Sequence, residues 1–136
     1  MKKWTLPLIA LLSIAALSAS ALPPPEKGDM TLSELEQNLF DLDGKIVEVE
    51  VTRAYGLEQS SAGKYKVYCS YEDGGSYSGN GATFYFSKNE DAIEFFQDLV
   101  KKGYGSGKTS FFVQVNGETY TAVGKKFKKS KGIYTW

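Results

Sequence analysis

Side chains that could carry out catalysis are scarce in this sequence of 136 residues. It contains no histidine, one cysteine (Cys69) and one arginine (Arg53). Histidine is the commonest general base and the commonest metal ligand, and one thiol cannot form an intramolecular disulfide or a two-cysteine metal site. We therefore expect a protein that is not an enzyme and that has no catalytic residues, no metal site and no cofactor.

The acidic side chains leave a hydrolase as a minor alternative. Asp41 and Asp43 precede a predicted strand, and Glu72 and Asp73 precede a glycine-rich segment, but neither pair has the spacing of a calcium-binding loop. A glycosidase-like pair could be distant in sequence, and that alternative stays open. Cys69 lies on the apolar face of a predicted strand, where a thiol behaves as a small hydrophobe; a reactive or dimer-forming thiol is the alternative.

Polar and aromatic side chains occupy alternate positions on two predicted strands: Lys64, Lys66, Tyr68 and Ser70 on strand 64–71, and Thr83 and Tyr85 on strand 82–86. If the apolar sides point into the core, the opposite sides form one basic and aromatic surface with Arg53 near its rim. Such a surface can stack on a base, a sugar or an aromatic side chain, at about 1–3 kcal/mol for a base, while neutralising an anion. The predicted ligand-binding residues are Arg53, Lys64, Lys66, Tyr68 and Tyr85. An ordinary solvated strand surface is the alternative.

Five further lysines are concentrated near the C-terminus. They are Lys125, Lys126, Lys128, Lys129 and Lys131. Residues 22–100 carry six basic and fifteen acidic side chains, net −9, whereas residues 101–136 carry eight lysines and one glutamate, net +7. The lysines could dock onto an anionic polymer or onto membrane headgroups, or they could be solvated or paired with the acidic part of the chain. A single arginine disfavours specific nucleic-acid binding, because arginine is preferred for bidentate phosphate recognition.

The first 21 residues have the three parts of a secretory signal peptide. Two lysines at positions 2 and 3 precede an apolar run, 6–17, and the small-residue segment 18–21 ends in an Ala-x-Ala site. The run is shorter than the roughly 20 residues of a membrane-spanning helix. We predict cleavage near Ala21, no transmembrane segment in the mature chain, and a secreted or periplasmic location. An uncleaved N-terminal anchor is the alternative.

The mature chain is predicted to comprise a Pro-rich leader, 22–30, which acts as a tether, and a single domain, 31–136, with the lysine-rich tail. Capping boxes at 31–34 and 87–90 predict two helices. The first is expected to end near Asp43 and Gly44 and to bury one stripe: Leu32, Leu35, Leu39 and Phe40. Alternating apolar residues predict strands at 45–53, 64–71, 82–86, 110–115 and 118–124, with a tight turn at Asn116 and Gly117. The tail would extend the last strand.

The order α-β-β-β-α-β-β is typical of a mainly β fold, the five-stranded OB-type barrel, with an N-terminal helix and a helix between strands three and four. An open α+β sheet with the helix on one face is the alternative. In residues 42–49 (Leu-Asp-Gly-Lys-Ile-Val-Glu-Val) and 120–124 (Tyr-Thr-Ala-Val-Gly), the chain resembles secreted and periplasmic OB-fold proteins related to the anticodon-binding-like family. The resemblance implies the OB-type fold, and it does not by itself imply nucleic-acid binding.

The ligand of an OB barrel usually crosses the outer face of strands two and three, where the predicted site residues lie. The sequence therefore predicts a monomeric, secreted, non-enzymatic binding module for a small ligand, a peptide or a protein partner. The alternative is an envelope structural or interaction protein that docks onto an anionic surface polymer or lipid through its lysine-rich tail.

Overall fold

The computed structural model describes residues 22–26, 28–61, 63–73, 76–103 and 107–136, without the side chains of residues 72, 73 and 76–80. The predicted signal peptide, 1–21, lies outside the described residues. The described chain is mainly β with few helices, which confirms the predicted class. Its elements are β1 (Met30–Thr31), α1 (Leu32–Gln37), α2 (Leu39–Leu42), β2 (Ile46–Val51), β3 (Arg53–Ser61), β4 (Lys64–Asp73), β5 (Ser76–Ser87), α3 (Glu90–Lys102), β6 (Thr109–Asn116), β7 (Thr119–Gly124), β8 (Lys126–Lys128) and β9 (Ile133–Thr135).

Seven of the described strands form one mixed sheet in the order β1-β2-β6-β7-β5-β4-β3, and β8 pairs with β9 separately. The predicted five-stranded closed barrel is therefore wrong in strand number and in closure, and the pairing order is nearer to the open-sheet alternative. The predicted first strand is divided at Thr52, so that β2 pairs with β6 while β3 pairs with β4. The N–H of Thr52 donates to the carbonyl of Ser70 on β4 at 2.9 Å, which fixes this change of partner. The leader adds β1, parallel to β2.

The predicted N-terminal helix is present but divided into α1 and α2. Thr31 caps α1 as predicted, because its hydroxyl accepts the N–H of Glu34 at 3.2 Å. The side-chain amide of Asn38 donates to the carbonyl of Glu34 at 2.7 Å and accompanies the break between the helices. The break changes the helical phase, so Phe40, predicted on the buried stripe, is 95% exposed.

Helix α3 lies between β5 and β6 in the chain, as predicted. Its N-cap is Asn89, whose side-chain oxygen accepts the N–H of Ala92 at 3.0 Å. The prediction that Ser87 caps this helix is therefore wrong by two residues. Asn89 is an equally good capping residue and lies nearer to the helix. The helix buries Ala92, Phe96 and Leu99.

The core lies between the inward sides of the large sheet and α3. The alternation predicted for strand one is confirmed, because Val47, Val49 and Val51 are fully buried. Aromatic rings fill the centre, with Phe84 and Phe111 edge to face at a centroid distance of 5.1 Å. Burying each such side chain stabilises the fold by about 1.5–3 kcal/mol.

The β6–β7 hairpin is confirmed with a shift of one residue in its turn. Asn116 pairs with Thr119, so the two-residue loop is Gly117 and Glu118. Gly117 has φ = 62°, a left-handed conformation that favours glycine. The Asp43 carboxylate accepts the Gly117 N–H at 2.7 Å, which gives that acid a structural role.

The leader is bonded to the sheet and is not a free tether. Pro25 forms a parallel bridge with Ile46, and the Glu26 N–H donates to the Ile46 carbonyl at 2.9 Å. The Glu26 carboxylate also lies 3.2 Å from the ammonium of Lys45. These contacts hold the leader along β2.

The tail does not extend β7 as one longer strand but folds back as the hairpin of β8 and β9. Its last residue, Trp136, packs on Phe95 and Phe96, each at a centroid distance of 5.3 Å. The tail therefore joins the aromatic core. The longest described helix, α3, has 13 residues, and none in the described part of the chain is both long and apolar enough to cross a bilayer.

Candidate functional site

The five predicted ligand-binding residues lie on neighbouring strands β3, β4 and β5. In the sheet register, Lys66 faces Tyr85, Tyr68 faces Thr83 and Lys64 faces Ser87 across β4 and β5. Arg53 on β3 faces Ser70 on β4. Because residues paired across strands share a face, all five side chains lie on the same, outer side of the sheet.

Two of the five belong to an aromatic stack at one end of this face. The guanidinium of Arg53 lies 4.4 Å from the ring centroid of Tyr55, and the rings of Tyr55 and Tyr68 are 5.9 Å apart. Tyr68 is 38% exposed and lies across Gly81, where a β-carbon would meet its ring. At this end of the face, the side chains of Arg53, Tyr55 and Tyr68 pack on one another.

The ammonium of Lys66 lies 3.1 Å from the carboxylate of Glu58 on β3. The ion pair is partly exposed and offsets much of the positive charge predicted at this position. Sequence spacing could not reveal the pair, because the register between β3 and β4 shifts between Tyr55 and Glu58.

Tyr85 and Lys64 line a groove beside the β3–β4 turn, which we call the hairpin groove. Its volume is about 460 Å³, and its lining residues are Ser60, Ser61, Lys64, Tyr85, Phe86, Ser87, Thr119 and Thr121. Hydroxyl groups and the Tyr85 ring dominate this lining. Lys64 is its only ionic side chain among the residues described.

A second groove, the helix groove, lies between α1 and the sheet. Its volume is about 570 Å³, and it is lined by Leu32, Leu35, Glu36, Leu39, Gly81, Ala82, Thr83, Tyr85, Glu118, Thr119 and Tyr120. The two grooves share the lining residues Tyr85 and Thr119 and therefore lie side by side over β5 and β7; we call the pair the trough. Of the predicted five residues, only Lys64 and Tyr85 line it.

Sequence reasoning missed the acidic end of the trough. Burial raises the pKa of the Tyr120 hydroxyl, and the negative charges of Glu36 and Glu118 raise it further. The helix groove is therefore electronegative, whereas the hairpin groove carries the cation Lys64. The Thr-x-x-Glu cap indicated where α1 begins, but nothing in the sequence placed α1 beside the β6–β7 turn.

The tail lysines are exposed, but they do not all face the same surroundings. Lys125 and Lys126 line a groove of about 360 Å³ with Asp91, Glu94 and Asp98 of α3. The Lys125 ammonium also lies 5.4 Å from the ring centroid of Phe95. The part of the chain that links the two strands of the tail hairpin carries Lys129 and Lys131, next to Lys128 at the end of β8.

The surroundings of the cysteine and of the acidic side chains do not favour a reactive thiol or a metal site. Cys69 is fully buried and unpaired, and burial raises the pKa of its thiol well above the ordinary value, which suppresses the reactive thiolate. Glu72 and Asp73 lie outside the described side chains. Among the side chains that are described, no group of three or more histidine, cysteine, aspartate or glutamate residues is arranged to hold a metal ion.

No protein-family model matches the chain, and no curated protein matches it. Among solved structures, a protein described as an aspartyl-tRNA synthetase from Leishmania major Friedlin is similar with a TM-score of 0.37 and 12% sequence identity. The similarity covers 86% of this chain and 25% of that chain. A TM-score this low does not establish a common fold, and the resemblance to anticodon-binding-like OB proteins stays a prediction.

Proposed function

We propose that the protein is a non-enzymatic binding module whose ligand lies in the trough around Tyr85. The observation that carries the proposal is that two adjacent grooves share Tyr85 and Thr119 on the outer side of the sheet. Each groove has a volume within the range of about 300–1,000 Å³ that is typical of ligand sites. Two adjacent grooves on either side of Tyr85 suit an extended ligand that passes over this side chain.

The opposite charges at the two ends of the trough favour a peptide. Lys64 at the hairpin groove suits an acidic side chain or a C-terminal carboxylate, whereas Glu36 and Glu118 at the helix groove suit a lysine or arginine. Tyr85 and Thr119 between them offer a ring face and a hydroxyl to the middle of the ligand. The preferred ligand is therefore an extended peptide with a basic end and an acidic end.

Electrostatics argue against a nucleic acid in the same trough. A phosphate chain that followed the trough would pass Glu36 and Glu118, which repel it. Outside the trough, Lys66 is paired with Glu58 and Arg53 lies over Tyr55. The Glu58 carboxylate therefore offsets the charge of Lys66, and the Arg53 guanidinium, which keeps its charge, lies against the Tyr55 ring.

The OB-type relationship and secretion belong to the same proposal. β2 and β3 are one continuous stretch of chain that pairs with β6 before Thr52 and with β4 after it, and this double pairing supports an OB-type relationship in a sheet that is not closed. For secretion, we expect the exported chain to begin at Leu22, after cleavage near Ala21. Intact-mass measurement of the secreted or periplasmic protein tests this point.

Binding is tested with short dye-labelled peptides that have lysine at one end and glutamate at the other, measured by fluorescence anisotropy. Peptides with only acidic or only neutral side chains serve for comparison. We expect Tyr85→Ala to weaken binding of the dipolar peptide by about tenfold or more, and Lys64→Glu to weaken it while improving binding of a peptide with two basic ends.

Tyr68→Ala is the matched control, because Tyr68 is an exposed tyrosine of the same face that does not line the trough. Unchanged binding in this variant supports the trough, and equal losses in the Tyr68 and Tyr85 variants would extend the site to the whole face. If Tyr85→Ala binds the dipolar peptide as tightly as the unmodified chain, the proposal is wrong.

A further inference from the structure

The hairpin of β8 and β9 has one aromatic and one basic side. Phe127 is paired with Tyr134, with ring centroids 4.6 Å apart, and Tyr134 in turn packs on Phe112 of β6 at 5.2 Å. The opposite side carries Lys126 and Lys128, paired with Thr135 and Ile133. The aromatic side therefore fixes the hairpin to the sheet, and the basic side faces away from it.

The lysines nearest the turn of this hairpin are available to a partner. In the described part of the chain, no carboxylate lies within ion-pair distance of Lys128, Lys129 or Lys131, and all three are exposed. Lys125 and Lys126, by contrast, share a groove with three carboxylates of α3. We call Lys128, Lys129 and Lys131 the lysine tip.

Apolar atoms accompany the lysine tip. Ile133 is paired with Lys128 and is 39% exposed, although it is a large aliphatic side chain. No exposed aromatic ring lies among the described residues of the hairpin, because Phe127 and Tyr134 face the sheet. The surface therefore combines ammonium groups with an aliphatic side chain and offers no ring on which a nucleic-acid base could stack.

The N-terminal side of the described chain meets the same hairpin. The Tyr134 hydroxyl donates to the carbonyl of Pro23 at 2.7 Å, although the two residues are 111 positions apart. Leu22, next to it, is 39% exposed. The apolar segment 6–17 and the lysines at positions 2 and 3 belong to the chain immediately before this point. A chain cleaved after Ala21 would instead place the α-amino group of Leu22 beside the hairpin.

We propose that the lysine tip and Ile133 form a docking surface for an anionic lipid bilayer. Lysine ammonium groups near an anionic surface each strengthen binding by about fivefold, and an aliphatic side chain enters the headgroup boundary. Lysine favours this partner over a specific phosphate ligand, because it acts as a hydrated point charge rather than as a bidentate fork. The proposal is independent of the trough and concerns where the module is held.

The net charge of −9 on residues 22–100 does not prevent this docking, because charges separated by more than about 8 Å are largely screened at physiological salt. Screening limits the attraction to the lysines nearest the bilayer, so the lysine tip determines which side of the molecule faces it. Three lysines acting together are expected to strengthen binding by about a hundredfold at low salt.

The test is cosedimentation of the full chain with phosphatidylcholine vesicles that do or do not contain phosphatidylglycerol, at low and at high salt. Binding to vesicles of phosphatidylcholine alone reports the apolar N-terminal segment. The difference between the two vesicle types reports the lysines of the whole chain, including Lys2 and Lys3, and the variants show which part of it belongs to the lysine tip. We expect the triple variant Lys128→Gln, Lys129→Gln, Lys131→Gln to lose most of this difference, and Ile133→Ser to lose a smaller part.

The matched control is the triple variant Lys88→Gln, Lys101→Gln, Lys102→Gln, which removes the same charge from exposed lysines elsewhere. Thermal unfolding checks that both triple variants are folded. Equal losses in the two variants would show a non-specific charge effect and overturn the proposal. Binding to an anionic polysaccharide or to DNA without any preference for phosphatidylglycerol vesicles would also overturn it, in favour of a polymer partner.

Discussion

Trp136 anchors the tail hairpin, and we expect Trp136→Ala to lower the free energy of unfolding by about 3 kcal/mol. The indole lies between α3 and the sheet, with centroid distances of 5.3 Å to Phe96, 6.4 Å to Phe111 and 6.5 Å to Phe86. Removing it takes away a side chain that links the tail to the core. The tail would then be held mainly by Tyr134 and by backbone hydrogen bonds.

The magnitude follows from the area that the indole removes from water. A buried aromatic side chain covers about 150–250 Å², and Trp136 is only partly buried, so about 150 Å² is appropriate. At about 25 cal/mol per Å² this area corresponds to about 4 kcal/mol, of which the alanine methyl group retains part. The remaining 3 kcal/mol agrees with the low end of the costs measured for deleting a large aromatic side chain, which are about 3–5 kcal/mol.

Urea unfolding followed by circular dichroism measures this difference. Trp136→Phe is the control and should cost about 1 kcal/mol, because a phenyl ring keeps most of the aromatic contacts. In a Trp4→Phe background, Trp136 is the sole tryptophan, and its emission reports whether the tail is docked. A loss below about 1 kcal/mol for Trp136→Ala, or an emission maximum typical of an indole in water, would refute the docked position of the tail.

Three further perturbations test the fold around the two surfaces. Asn89→Ala removes the α3 cap and should cost about 1 kcal/mol in urea unfolding. Gly124→Ala should cost about 1–3 kcal/mol and expose the tail, because the new β-carbon would lie 2.7 Å from the Thr135 nitrogen. Burial and a hydrogen bond to Asp29 raise the pKa of Glu48 to about 7, so stability should fall by up to about 1 kcal/mol as pH rises from about 4.5 to 7.

Each of these expectations has a contrary result. Asn89→Asp should be nearly neutral, since aspartate also caps helices; a loss equal to that of the alanine variant would show that the cap is not what matters. Unchanged emission of the sole tryptophan in Gly124→Ala would contradict the close approach of the tail. If the free energy of unfolding of Glu48→Gln depends on pH in the same way as that of the unmodified chain, a group other than Glu48 causes the dependence.

Local sequence patterns predicted which side of a strand is buried, but they did not predict where the first helix breaks. The alternation of Val47, Val49 and Val51 correctly placed the buried side of the first strand, because side-chain direction in a strand depends only on sequence position. The helix predicted after Thr31 was too long, since the polar side chain of Asn38 competes for a helical carbonyl. The prediction that Phe40 is buried assumed an unbroken helix, and it was wrong for that reason.

Non-local pairing accounts for the larger errors. No local signal at Thr52 shows that the chain leaves β6 and joins β4, because both neighbours are distant in sequence. The candidate site shows the same limit. Alternation placed Lys64 and Tyr85 on one face, but the ion pair of Lys66 with Glu58 depends on the register between two strands. Only the assembled sheet separates residues that line the trough from those that are already paired.

The trough and the lysine tip lie toward opposite ends of β7, and this placement makes them separable. Thr119 lines the trough at one end of the strand, and Gly124 packs against the tail hairpin at the other. Thr121 is the trough residue of β7 nearest to Gly124, and the three steps between them span roughly 10 Å, which still exceeds the Debye length of about 8 Å at physiological salt. Substitutions in the lysine tip therefore leave the potential at Lys64 and Tyr85 almost unchanged. A bilayer on one end of the strand and a peptide on the other could be bound at the same time.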